Sequence, residues 1–251
     1  MEPLLLALLG GLLVGLLLTL FGGGGSVLAT PWLIYVVGVA DTHAAIATSA
    51  AAVAVNAATG LLAQAKAGRV KWPCASVFAV AGLIGSVLGA RLAMTVDGEQ
   101  LIRAFGAAMI AIALSMLLPR KGEGDPAVRL TPTMVWKLAP VGLIAGLAAG
   151  FFGIGGGFLI APGLMAATGM TLANASASSL VSVTLFGSAT SATYALDGQL
   201  LWPVFAALVI GGGAGTLLAM PILRRIETRA KLLRVGFALM VTVVGLFIIF
   251  H

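Results

Sequence analysis

All 14 Lys and Arg residues of this chain lie in five places: 66–71, 91–103, 120–121, 129–137 and 224–234. Between them run apolar stretches of roughly 18 residues or more, the length at which a helix spans a bilayer. Charged residues make up only 9% of the chain, against about 25% in soluble domains. The spacing predicts an all-α polytopic membrane protein, a single transmembrane domain over 1–251. The net charge of +6 sits in short loops between spans. That is a topology signal, so nucleic acid is not expected as a partner and the lipid bilayer is. Met1-Glu2-Pro3 lacks the positive region of a cleavable signal peptide, so the first apolar run is expected to remain as the first helix. The single cysteine, Cys74, excludes an internal disulfide and a Cys-based zinc cluster. No metal or cofactor is expected.

A glycine run then divides the chain. Phe21-Gly22-Gly23-Gly24-Gly25-Ser26, followed by Val27-Leu28-Ala29-Thr30-Pro31, recurs as Phe152-Gly153-Ile154-Gly155-Gly156-Gly157, followed by Phe158-Leu159-Ile160-Ala161-Pro162. Phe21 to Phe152 is a period of 131 residues. The correspondence continues to Trp72-Pro73 with Trp202-Pro203, and to Leu101-Ile102-Arg103 with Leu232-Leu233-Arg234. Each half reads as five segments: 4–21, 26–38, 43–65, 74–95 and 101–118, then 137–152, 155–169, 172–196, 201–223 and 232–250. A first repeat over 1–118, a cytoplasmic linker over 119–134 and a second repeat over 135–251 follow. The segments after the glycine runs are too short to span and read as half-helices or re-entrant hairpins.

Charge sets the relative direction of the halves. The loop after the long third segment holds Lys66, Arg69 and Lys71 in the first half but only Asp197 in the second. The next loop is balanced in the first half and basic in the second, with Arg224, Arg225, Arg229, Lys231 and Arg234. Opposite bias in equivalent loops predicts inverted-topology repeats. Placing 66–71, 119–137 and 224–234 in the cytoplasm puts 12 of 14 basic residues inside, with both termini outside.

Paired helix interruptions in inverted halves point to a transporter's binding site near the midplane. Glycine runs break helices, and the N–H groups of a following half-helix suit an anion without any buried Lys or Arg. Candidate backbone donors are Gly23, Gly24, Gly25, Ser26, Gly155, Gly156 and Gly157. The competing reading, close helix packing, explains Gly85-x-x-x-Gly89, Gly146-x-x-x-Gly150 and Gly211-x-x-x-Gly215, faces that would also permit a homodimer. Side-chain candidates are Asn56 and the matched pairs Thr48-Ser49 and Ser178-Ser179, expected to face one cavity. Such hydroxyls more often bond their own i−4 carbonyl. His43, beside the helix-starting Asp41, is the candidate to carry a coupled proton, since an imidazole titrates near neutral pH.

No Gly-x-Ser-x-Gly, His-Glu-x-x-His or phosphate-loop lysine is present, and no carboxylate lies within a span. No catalytic residue and no enzymatic activity are expected.

The succession of a glycine-rich run and Pro31 or Pro162, then Ala45-Ile46-Ala47-Thr48-Ser49 or Ala175-Ser176-Ala177-Ser178-Ser179, then Gly68-Arg69-Val70-Lys71-Trp72 or Gly198-Gln199-Leu200-Leu201-Trp202 resembles the sulfite exporter TauE/SafE family. It covers both halves in order. The resemblance implies an inner-membrane secondary transporter, a permease of small sulfur-containing anions such as sulfite, sulfoacetate or another organosulfonate. Alternating access of two repeats would carry it. An anion channel, or a permease for another small carboxylate or inorganic anion, is the alternative.

Overall fold

A computed structural model describes residues 2–117, 124–153, 157–226 and 230–250. Among them every regular element is helical. Helix α1 (Glu2–Phe21) runs into a 3-10 helix (Gly22–Leu28), one α-turn, α2 (Ala29–Pro31), and a π-helical segment (Trp32–Val37). Then follow α3 (Thr42–Lys66), α4 (Trp72–Ala93), α5 (Gly98–Leu117), α6 (Pro132–Phe152), α7 (Gly157–Thr168), α8 (Leu172–Ala195), α9 (Trp202–Ile226) and α10 (Ala230–Phe250). Helix α6 starts inside the segment expected to be linker, with a proline in its first turn, where a missing N–H costs nothing.

Local chemistry sets the ends. Asp41 caps α3 by accepting from the His43 and Ala44 N–H groups at 2.8 and 3.4 Å. Thr171 caps α8 by accepting from Asn174 N–H. At the other ends Gly38, Gly153 and Gly169 take left-handed φ of 82°, 66° and 72°, which only glycine adopts without strain.

Among the described residues five helices, α1, α3, α4, α6 and α9, are long and apolar enough to cross a membrane. Their outward faces carry exposed Ile84, Ile144, Ile210 and Leu217. A polytopic membrane protein wears such side chains outside because lipid is as apolar as they are.

The packing follows from small residues. A Cβ on Gly11 would meet Leu208, and one on Gly15 would meet Gly212, so α1 and α9 lie parallel with their backbones in contact. Gly142 meets Phe78 and Gly146 meets Gly82, so α6 and α4 do the same. Gly85 and Gly89 abut the backbone of α6, Gly150 abuts Ser86, and Gly211 and Gly215 abut α1. All three GxxxG faces are therefore used inside the chain, and a homodimer would need another surface. Helices α3 and α8 cross antiparallel at the centre, with Gly187 against Ala50 and Ala54 and Gly60 facing Leu180. Helices α5 and α10 pair through Gly106 and Gly245. The segment 22–37 folds back along α1: Gly25 lies on the Leu17–Leu18 backbone, and Trp32 covers Gly10 and donates from Nε1 to the Leu6 carbonyl at 2.9 Å. Before α6, Asp125 N–H donates to the Gly169 carbonyl at 2.9 Å, and Asn174 Nδ2 donates to the Pro126 carbonyl at 3.1 Å. That end of the linker is thereby tied to the start of α8.

Candidate functional site

The two glycine segments meet at the core. Val27, Leu28 and Leu159 share one apolar cluster, so the segments that follow the glycines touch each other. In the first half the chain from Gly22 to Leu28 is a 3-10 helix, which directs its N–H groups at carbonyls three residues back. Gly23 and Gly24 belong to that helix, Gly25 is required by its approach to α1, and Ser26 is fully buried. In the second half α6 ends at Gly153, whose Cβ position is filled by Ile46 of α3, and α7 begins at Gly157. The candidates Gly155 and Gly156 lie outside the described residues.

The matched hydroxyls differ in how they are used. Thr48 accepts from the Leu201 N–H at 3.1 Å, and Ser178 accepts from the Lys71 N–H at 2.9 Å. Each hydroxyl, fully buried, thus satisfies an N–H at the start of a helix from the other half of the chain. Accepting uses a lone pair and leaves the hydroxyl proton as a donor. Ser49 and Ser179 instead donate to the Ile46 and Ser176 carbonyls at 3.1 and 2.8 Å, the local bonding expected of a serine within a helix. The structure does not gather all four in one cavity. Gly60 of α3 lies level with Leu180, so Thr48 and Ser178 are separated by about 20 Å along the bundle at 1.5 Å per residue.

Sequence reasoning missed Thr30. Its hydroxyl lies 2.8 Å from Ser49 Oγ, and both are buried. Because the Ser49 proton goes to Ile46, Thr30 donates to Ser49 and the pair's protons are both engaged. The repeat carries no signal for Thr30, since its counterpart is Ala161. Asn56 is likewise asymmetric, with Phe186 at the matching position. Its Nδ2 donates to the Leu208 carbonyl at 3.3 Å and its Oδ1 is buried without a partner among the described residues. That atom offers an acceptor, which an anion does not want. Ser182, Thr190 and Thr216 are further buried hydroxyls in the same condition.

His43 stacks on Tyr194 at 6.0 Å, and its Nδ1 and the Tyr194 hydroxyl are buried without partners among the described residues. It lines a pocket of about 650 Å³ with Tyr35, Asp41, Asp97, Glu99 and Arg103. Asp41 and Asp97 cap helices there, and Glu99 pairs with Arg103.

Among the described residues the buried polar side chains are Ser, Thr and Asn, with the Tyr194 hydroxyl beside them. Neutral donors and backbone can hold a small anion reversibly. The family described as Sulfite exporter TauE/SafE matches residues 7–248, nearly the whole chain. The chain belongs to the TauE/SafE family. It is 42% identical to a probable membrane transporter protein of Xylella fastidiosa strain Temecula1, over 100% of this chain and 96% of that one. It is 26% identical to the probable membrane transporter protein YunE of Bacillus subtilis strain 168, over 87% of this chain and 88% of the relative. A probable membrane transporter protein of Haemophilus influenzae is 28% identical over 73% of this chain and 70% of its own. No solved structure matches the chain. Membership of TauE/SafE and these relatives make this chain a membrane transporter.

Proposed function

We propose that this TauE/SafE protein is a secondary permease of a small sulfur-containing anion such as sulfite, sulfoacetate or another organosulfonate. It works by alternating access in the cell inner membrane, as two inverted repeats with both termini outside. Matched contacts carry the inverted reading. Gly146 on Gly82 corresponds to Gly15 on Gly212, and Gly142 on Phe78 corresponds to Gly11 on Leu208. Lys71 on Ser178 corresponds to Leu201 on Thr48. Each pair maps onto the other at the sequence period, and the central α3–α8 pair is antiparallel, as a two-fold axis in the membrane plane requires. The linker and the 66–71 and 224–234 loops then face the cytoplasm. The anionic head is held by neutral donors, the Thr48 and Ser178 hydroxyls serving two positions about 20 Å apart along the bundle rather than one, with the N–H groups that open α7 at Gly157. His43 is the residue proposed to carry a coupled proton.

The test is purified protein in liposomes with a panel of sulfite, sulfate, thiosulfate, sulfoacetate, an alkyl carboxylate and chloride. Saturable uptake and selective thermal stabilisation by one sulfur anion are expected, since a ligand of the folded state stabilises it by mass action. Absence of any response retires the anion site. Counterflow separates a permease from a channel, which shows none.

A further inference from the structure

We infer that the bodies moving against each other in transport are not the two sequence repeats. They are two bundles that each mix both halves of the chain: α1, α3 and α9 in one, and α6, α8 and α4 in the other. The inference rests on the transport reading above and names its moving parts. Helix α9 comes from the second repeat, yet its Leu208 and Gly212 lie directly on Gly11 and Gly15 of α1. Helix α4 of the first repeat makes the equivalent contact with α6. Where backbones touch, no side chain can rearrange to absorb a slip, so these pairs move as one. Polar ties run the same way. Thr48 and Asn56 bond α3 to the Leu201 N–H and Leu208 carbonyl of α9 and its approach. Ser178 bonds α8 to the approach of α4, and the Phe186 ring covers Gly82 as Asn56 covers Gly212.

The boundary between the bundles is built differently. At the α3–α8 crossing the approach is looser: the Gly187 Cβ position lies 2.9 Å from the Ala50 carbonyl oxygen and 3.1 Å from the Ala54 Cβ, and that of Gly60 lies 3.6 Å from Leu180 Cδ1. Ala and Gly surfaces have shallow ridges, and small sliding of packed helices is the movement such an interface allows. Ile46 of α3 against Gly153 at the end of α6, and the apolar cluster that Val27, Leu28 and Leu159 share, also lie on the boundary.

The experiment is distance measurement between thioether-linked gadolinium labels, a chemistry that sulfite does not cleave, in a Cys74→Ala background in nanodiscs. Labels go at exposed apolar positions. Leu9 with Ile210 lies within one bundle but across repeats; Ile84 with Ile144 is its counterpart. Leu9 with Ile84 lies within one repeat but across bundles. Distances are recorded with and without an anion that unlabelled protein carries in liposomes, sulfite and sulfoacetate being tried first. The expected result is a shift for Leu9–Ile84 with the other two pairs unchanged. A fixed Leu9–Ile84 distance beside a shifting Leu9–Ile210 distance overturns the inference, and so does no shift in any pair. Failure of unlabelled protein to carry any anion overturns the transport reading itself, and is measured separately.

Discussion

The matched glycine contacts allow a quantitative comparison within and between helices. A Cβ on Gly85 would strike the Leu143 carbonyl and sit 2.7 Å from the Leu147 nitrogen; one on Gly215 would strike the Leu12 carbonyl and sit 2.9 Å from the Leu16 nitrogen. Ordinary contacts lie at about 3.5–4.0 Å, so each helix pair must part by about 1 Å. Forcing close-packed elements apart costs about 1–3 kcal/mol. Gly213, two residues before Gly215, has nothing within 4 Å of its Cβ position. Glycine to alanine inside a helix gains up to about 1 kcal/mol, which applies to all three positions and cancels on comparison. Gly85→Ala and Gly215→Ala are therefore expected to be less stable than Gly213→Ala by about 1–3 kcal/mol. At about 2–4 °C per kcal/mol for a chain of this size, that is an apparent Tm lower by about 2–12 °C. The assay is retention of the monodisperse peak after heating in mild detergent. Equal Tm for all three variants would refute the backbone contact, and unequal losses at Gly85 and Gly215 would refute the symmetry.

Thr48→Val and Ser178→Ala each orphan a helix-starting N–H and are expected to cost about 1 kcal/mol, with Thr48→Ser restoring the bond. Faster hydrogen exchange at Leu201 and Lys71, respectively, is the direct readout. Gly38 and Gly153 share a left-handed backbone, but only Gly153 is packed, against Ile46. Gly38→Ala is expected to cost about 1–2 kcal/mol of backbone strain; Gly153→Ala should cost measurably more in the same thermal assay, and equal losses would show Ile46 yielding freely. His43→Gln is expected to abolish any dependence of uptake on an imposed proton gradient while leaving counterflow intact. Retained proton dependence removes His43 from the coupling.

Much of the fold was legible in the chain. Asp41 and Thr171 cap as acceptors at the ends of short loops, and the glycines that close helices stand at corresponding places in both halves. The candidate site was legible only in part. Thr48 and Ser178 stand out because the repeat conserves a hydroxyl at both, and the structure gives both the same bond. Thr30 and Tyr194 have apolar or unrelated counterparts, so no internal comparison marks them; Asn56 is a candidate by its own chemistry, with Phe186 at the matching position. That Thr48 and Ser178 lie far apart was hidden as well: equivalent positions on antiparallel helices diverge with distance from the crossing point.

What the sequence alone determined here is local or periodic. Each transmembrane helix satisfies its own backbone hydrogen bonds, so apolar length is enough to place it. Which helix it packs on is a different matter. A glycine face on α4 states that some backbone comes close, but the face has no chemistry that distinguishes α6 from α1. In an apolar surround no hydrophobic gain makes that choice; shape does, summed over several turns and both repeats. Only the tertiary structure decided that α9 leaves its own repeat for α1 and that α4 joins α6. The same exchange places a hydroxyl of one half beneath a helix start of the other.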